Sequence, residues 1–195
     1  MIATHNRSKA GEMLTILSEG LPWLKIQTLA DYEGAPEPEE TGSTYEENAG
    51  IKSEAACLHL NLPCIADDAG IEIDALEGKP GVYSKRFLGE STDFKFKNRK
   101  VLEMLKDVSD ENRGARYYCA VCLSIPNQST QTFVATCYGK IALEPSGSGG
   151  FGYDPIFYLP ELGCTMADLT AAEKHTVSHR GRVLAKVIDY LSALH

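Results

Sequence analysis

Long apolar runs are missing from this sequence. No segment approaches the roughly 20 consecutive apolar residues that a membrane-crossing helix requires. The start, Met1-Ile2-Ala3-Thr4, has neither the basic region nor the apolar run of a secretory leader. Positive charge is in deficit: 19 Lys and Arg stand against 27 Asp and Glu, a formal net charge of −8. That balance argues against a binder of nucleic-acid polymers. An anionic ligand would need a local basic pocket set against the overall field. The six cysteines (Cys57, Cys64, Cys119, Cys122, Cys137, Cys164) show no disulfide-scaffold pattern and mostly lie in apolar runs. They read as small buried residues in a reducing compartment. No Walker-type loop occurs, since Gly78-Lys79 is followed by Pro80. There is no internal repeat, no low-complexity tract and no linker between two halves. The expectation is one soluble cytoplasmic domain over residues 1–195, with no membrane partner.

What is present is a mixture of helix and strand patterns. Residues 1–4 suit a short strand. "SKAGEMLTILSEG" predicts a helix with Met13, Leu14 and Leu17 on one face and Gly20 as its stop. "LKIQTL" (24–29) alternates like a strand, and the acidic, proline-rich 31–42 reads as a loop. "STYEENAGIKSEAACLHL" opens with a capping box, Ser43 with Glu46, and predicts a helix to about Leu60. "PCIADDAGIEID" reads as strand, small-residue turn at Ala69-Gly70, and second strand. A loop (77–92) and a helix over "DFKFKNRKVLEMLKDV" follow. Strands at 115–125 and 131–143 should pair as a hairpin through "PNQS". A second capping box joins Thr170 to Glu173. The last helix begins near Ser178, burying Val183, Leu184, Val187, Ile188 and Leu191. The fold class is α/β with a mixed sheet.

Several side-chain groups have a chemistry to weigh against a plainer role. Lys9 follows Thr4-His5-Asn6-Arg7-Ser8 just inside a helix start, where free N–H groups and the helix dipole favour an anion. A solvated lysine beside a capped turn is the plainer account. Asn48 and Lys52 share a helix stripe with Tyr45, as residues three and four apart do. Asp67 and Asp68 are adjacent on a strand, so they face opposite ways and should have different jobs. One could face a metal or water, or both could cap backbone N–H groups in a turn. The GxGxxG of "GSGGFG" (147–152) is followed by Tyr153-Asp154-Pro155 rather than a helix, which excludes a dinucleotide loop. Cys119 and Cys122 sit mid-strand on opposite faces and read as core. His175 and His179 have no companion ligands nearby in sequence, so a zinc site is not expected.

Five stretches taken together carry more than each alone: "ATHNRSK" (3–9), "EETGSTYEENAGIK" (39–52), "IADDAGIEIDALEGKPGVYSKRFLGE" (65–90), "GSGGFGYDPIF" (147–157) and "LTAAEKHTVSHRG" (169–181). Over essentially the whole chain they resemble the inosine triphosphate pyrophosphatases, which hydrolyse deaminated purine nucleoside triphosphates. The resemblance implies an elongated two-lobed α/β domain, a central mixed sheet, a substrate cleft between lobes, a homodimer and Mg2+. It implies that Thr4, Asn6 and Lys9 form a triphosphate-binding turn. Glu40 and Asp68 would be the magnesium ligands, and Asp68 would also take the proton of the attacking water. Lys52 would be a second phosphate-side lysine. Phe151, Gly152, Tyr153 and Asp154 would hold base and sugar, and Lys174, His179 and Arg180 would recognise the base.

Three departures accompany the resemblance. His5 stands where a small residue is usual in the first motif, placing an imidazole at the phosphate turn. Ala69 replaces the usual serine after the second aspartate, at a position otherwise counted with the substrate-binding set. The first strand is also short. Competing readings are a pyrophosphatase for other non-standard nucleotides and a nucleotide-binding protein without turnover.

Overall fold

Side-chain oxygens set most of the helix starts, supplying the partners that first-turn N–H groups lack. The computed structural model describes residues 1–194 except 30, 31 and 33. Its helices are α1 (Arg7–Gly20), α2 (Tyr45–Leu60), α3 (Phe94–Met104), α4 (Ala171–Val177) and α5 (His179–Ser192). Its strands are β1 (Cys64–Ile73), β2 (Gly114–Ser124), β3 (Gln131–Ile141), β4 (Phe157–Leu159) and β5 (Cys164–Thr165). The Asn6 carboxamide accepts from the amides of Ser8 and Lys9 and so caps α1. Asp93 caps α3 through the Phe96 amide, and the Thr170–Glu173 box opens α4 as the sequence predicts. The box of α2 sits one residue later than expected. Thr44 and Glu47 form it, and Glu47 also takes the Ser43 amide and hydroxyl. Thr44→Ala is expected to cost about 1 kcal/mol of stability, measured by urea unfolding.

The strands lie in the order β1-β2-β3-β4-β5. β2 and β3 are joined by only six residues (125–130) and are neighbours, so they pair antiparallel, as the hairpin signal anticipates. β3–β4 and β4–β5 are antiparallel as well. Parallel pairing enters at Ile2, which bridges both Thr28 and Ile65. The strands expected at 1–4 and 24–29 are therefore reduced to single bridges. Ile2 N–H donates to Gln27 O and Ala3 N–H to Ile65 O, after which Thr4 leaves the pairing to enter the α1 cap. The turn expected at Ala69-Gly70 is not there. β1 runs unbroken from Cys64 to Ile73, since strand pairing overrides the local turn preference of two small residues.

By its packing the chain divides into two compact units. The first comprises Met1–Asp68, Cys119–Ala135 and Arg180–His195; the second comprises Ala69–Tyr118 and Thr136–His179. One core cluster of the first unit gathers Ala3, Leu29, Ala56, Cys57, Cys64 and Ala66. The second unit's core includes Ile71, Ile73, Val101, Leu105, Phe157 and Met166. In α5, Val183, Leu184 and Val187 are buried as expected, while Ile188 and Leu191 are half-buried. All six cysteines are free thiols, and only Cys164 is not fully buried. Burial raises the thiol pKa of Cys64 to about 11 and that of Cys119 to about 12. Among the described residues, no helix is long and apolar enough to cross a membrane.

Candidate active site

β1 delivers Asp67 and Asp68 to opposite faces, and the two carboxylates have different partners. Asp67 is fully buried in the first unit. Its Oδ2 lies 3.2 Å from Lys9 Nζ and accepts from Arg180 Nη2 at 2.9 Å and Nε at 3.2 Å. The remaining Arg180 terminal nitrogen, Nη1, donates to Glu12 at 2.7 Å. Burial alone would push Asp67 up, but Lys9, Arg180 and Lys52 outweigh it and hold the carboxyl far below the usual range. The reciprocal effect raises Arg180: burial opposes its charge, and Asp67 leads the groups that overcome this.

Asp68 lies nearly as deep but is balanced differently. Asn48 Nδ2 donates to its Oδ2 at 3.2 Å, and Lys52 Nζ stands 3.7 Å from its Oδ1. The same ammonium donates to Glu40 at 2.7 Å. Burial pushes the Asp68 carboxyl above its ordinary value; Lys52 and Lys9 pull it back without cancelling the rise. Lys52 is raised too, because Asp68, Asp67 and Glu40 outweigh the burial that disfavours its charge. Two adjacent aspartates are thus held in opposite states of readiness, one fixed as an anion and the other made more basic.

The turn before α1 is built to place Lys9. Thr4 Oγ1 accepts from the Asn6 amide at 3.2 Å, and Asn6 Oδ1 accepts from the Ser8 and Lys9 amides at 3.0 and 3.1 Å. Two first-turn N–H groups are therefore taken by Asn6 itself. The His5 ring nitrogen Nε2 lies 3.3 Å from the Pro36 carbonyl, so the unusual imidazole leans on the acidic loop. Glu40 and Asp68 supply two hard oxygen donors that converge on one ammonium. That set fits a magnesium ion, which takes one or two carboxylates and leaves other positions to water and phosphate. No group of three or more His, Cys, Asp or Glu able to hold an ion occurs among the described residues.

In the second unit Asp154 is the hub. Its Oδ2 accepts from Lys174 Nζ at 2.7 Å and from the Phe151 amide at 2.8 Å, and its Oδ1 accepts from the Tyr117 hydroxyl at 3.2 Å. The Lys174 ammonium stands 4.6 Å from the centre of the Phe151 ring. Gly150 has φ +65°, and a Cβ there would meet Asp154 Oδ2 at 2.1 Å, so glycine lets the loop close on its hub. Tyr153 is buried and donates to the Ser84 carbonyl at 3.0 Å. His179 stacks on Tyr117 with ring centres 4.4 Å apart. Ala69 is a half-buried strand residue.

The members of the predicted base set have different partners. Phe151, Gly152, Tyr153, Asp154, Lys174 and His179 belong to the second unit, whereas Arg180 joins Asp67 in the first. Sequence reasoning missed Glu12, Asn48's direct bond to Asp68, and Tyr117. Asn48 and Lys52, which share a helix stripe, both meet Asp68. Tyr117 lies mid-strand in β2, and its hydroxyl is the one sequence signal of a polar role.

The Ham1 family profile matches residues 1–190. The chain is 45% identical over 187 residues to the dITP/XTP pyrophosphatase of Exiguobacterium sibiricum, covering 96% of this chain and 93% of that protein. It is 46% identical over 187 residues to the dITP/XTP pyrophosphatase of Geobacillus kaustophilus, covering 96% and 91%. The structure of the Staphylococcus aureus Ham1 protein superposes with a TM-score of 0.88 at 38% identity, covering 100% of this chain and 98% of that one. The chain belongs to the Ham1 family.

Proposed function

We propose that this chain hydrolyses deaminated purine nucleoside triphosphates (ITP, dITP and XTP) to the monophosphate and pyrophosphate, cleansing the nucleotide pool of the cytoplasm. The observation that carries the reading is the division of labour between Asp67 and Asp68. Asp68, held by Asn48 and Lys52 on the face of β1 away from Asp67, takes a proton from water. The water oxygen bonds to the α-phosphorus, the bond to the bridging oxygen breaks, and pyrophosphate leaves with the electron pair. Lys9 and Lys52 offset charge on the phosphates. Glu40 and Asp68 are the residues to hold Mg2+, which supplies charge neutralisation at phosphate oxygens when bound. Lys9, pinned against Asp67, keeps its place between substrates.

Base choice follows from the Phe151–Asp154 turn with Lys174 and His179. Donors presented to a 6-keto oxygen would face a 6-amino group in ATP, and each unpaired buried polar group costs about 1–3 kcal/mol. The names of the relatives and the full-length match support this substrate class. Pyrophosphate release with Mg2+, at substrate well below saturation, tests it on inosine, xanthosine, guanosine and adenosine triphosphates. Strong release from the first two alone is expected. Equal release from all four would discard the base-reading role of the second-unit residues, and none from any would overturn the proposal.

A further inference from the structure

Helix α3 contributes nothing to the chemistry just described, yet it buries two polar side chains in succession, Lys97 and Asn98. Both reach out to backbone carbonyls of loops in the same unit. Lys97 Nζ donates to the Lys85 carbonyl, in the segment whose Ser84 carbonyl also accepts from Tyr153. Asn98 Nδ2 donates to the Gly152 carbonyl at 3.1 Å. Among the described residues this is the only hydrogen bond of the Asn98 carboxamide. Its Oδ1 is buried and accepts from none of them. A single neutral hydrogen bond of this kind contributes only modestly to stability. What it does supply is a fixed direction for one carbonyl.

That carbonyl belongs to a sensitive residue. Gly152 has φ +69°, in the left-handed region, and separates Phe151 from Tyr153. An ideal Cβ on Gly152 would lie 3.8 Å from the Phe94 ring, and that ring meets Tyr153 edge-on at 5.3 Å. The turn is thus held from two sides. Asp154 holds the Phe151 amide, and α3 holds the Gly152 carbonyl through Asn98 and Tyr153 through Phe94.

We infer that Asn98 is a positioning residue for base selection: by gripping the Gly152 carbonyl it fixes the Phe151–Asp154 turn on which the nucleobase is read. The inference rests on the proposal that this turn meets the base. Asn98 touches no reacting atom. Losing it loosens the reading of the base and leaves the phosphate chemistry of the first unit alone.

The test compares wild type, Asn98→Ala and the isosteric Asn98→Asp, which keeps the shape and removes the donor. Steady-state kinetics with ITP and ATP are expected to show KM for ITP raised about tenfold in both variants, with kcat within about twofold. The ratio of kcat/KM for ITP to that for ATP is expected to fall several-fold. Amide hydrogen exchange over 147–157 is expected to quicken in both variants, whether or not substrate is bound. An unchanged ITP:ATP ratio in a folded variant overturns the inference, as does an equal fall in kcat for both substrates with unchanged exchange in that loop. Should Asn98→Ala fail to fold, Asn98→Asp alone decides. Failure of the functional proposal itself is distinguishable, because wild type would then show no preference for ITP before any variant is made.

Discussion

Asp68→Asn is expected to lower pyrophosphate release from ITP by about 10²- to 10⁴-fold while ITP remains bound. The substitution keeps the shape and the bond from Asn48 within reach, and removes both the basic oxygen and a negative charge. Single-turnover assays with equilibrium binding separate the two effects. Lys9 and the second-unit residues are untouched, so ITP binding should persist, and repeating the assay across a Mg2+ titration separates loss of the base from loss of a metal ligand. Turnover within tenfold of wild type would remove Asp68 from the role of proton acceptor. Asp67→Asn should differ in kind, because Asp67 has no spare basicity: Lys9 and Arg180 occupy its Oδ2 and keep it ionised.

The second large effect is on stability. Arg180→Met should destabilise the protein by about 3–5 kcal/mol, because it leaves a fully buried carboxylate without the two bonds that Arg180 gives its Oδ2 and removes the Arg180 bond to Glu12. For a chain of this size that is a fall of roughly 6–20 °C in melting temperature. The double variant Asp67→Leu/Arg180→Met should recover part of the loss, since it removes the fully buried uncompensated carboxylate, while Lys9 and Glu12, which are more accessible, lose these partners. No recovery would mean that the pair contributes through something other than charge. The pH dependence has a definite sign. Asp67 titrates lower in the folded than in the unfolded chain. Its contribution is therefore complete above the ordinary carboxylate pKa of about 4 and disappears as pH falls toward the folded value. Urea unfolding between pH 6 and pH 3 should show stability falling with acid in wild type and a shallower fall in Asp67→Asn.

These two residues also show how far the site was legible from sequence. That adjacent strand aspartates must face apart follows from pleat geometry, and the structure gives them separate partners as that requires. That Arg180 would be one of those partners carries no local signal, because it is 113 positions from Asp67 in sequence. Its position in "SHRG" invites a shared role with His179, and in the fold Arg180 engages Asp67 while His179 stacks on Tyr117. The α2 cap shows a subtler limit. "STYEE" holds a Ser, a Thr and two glutamates in registers that both satisfy the spacing rule, so the pattern is degenerate by one residue. Thr44 and Glu47 form the box, and Ser43 becomes an extra donor to the same glutamate. The Thr170–Glu173 box has no such rival and was readable outright. Small residues misled at Ala69-Gly70, where turn propensity is real locally and loses to a ladder that only the assembled sheet provides.

The protected thiols have a practical consequence for measuring the proposed metal. Cysteine binds soft divalent ions as thiolate, and both burial and a raised pKa withhold that form. Cys64 and Cys119 remain protonated at any pH where the enzyme would be assayed, and Cys57, Cys122 and the half-buried Cys164 are also shifted upward by burial. Titrations with manganese or cobalt as spectroscopic substitutes for magnesium should therefore report oxygen ligation at Glu40 and Asp68, undisturbed by sulfur.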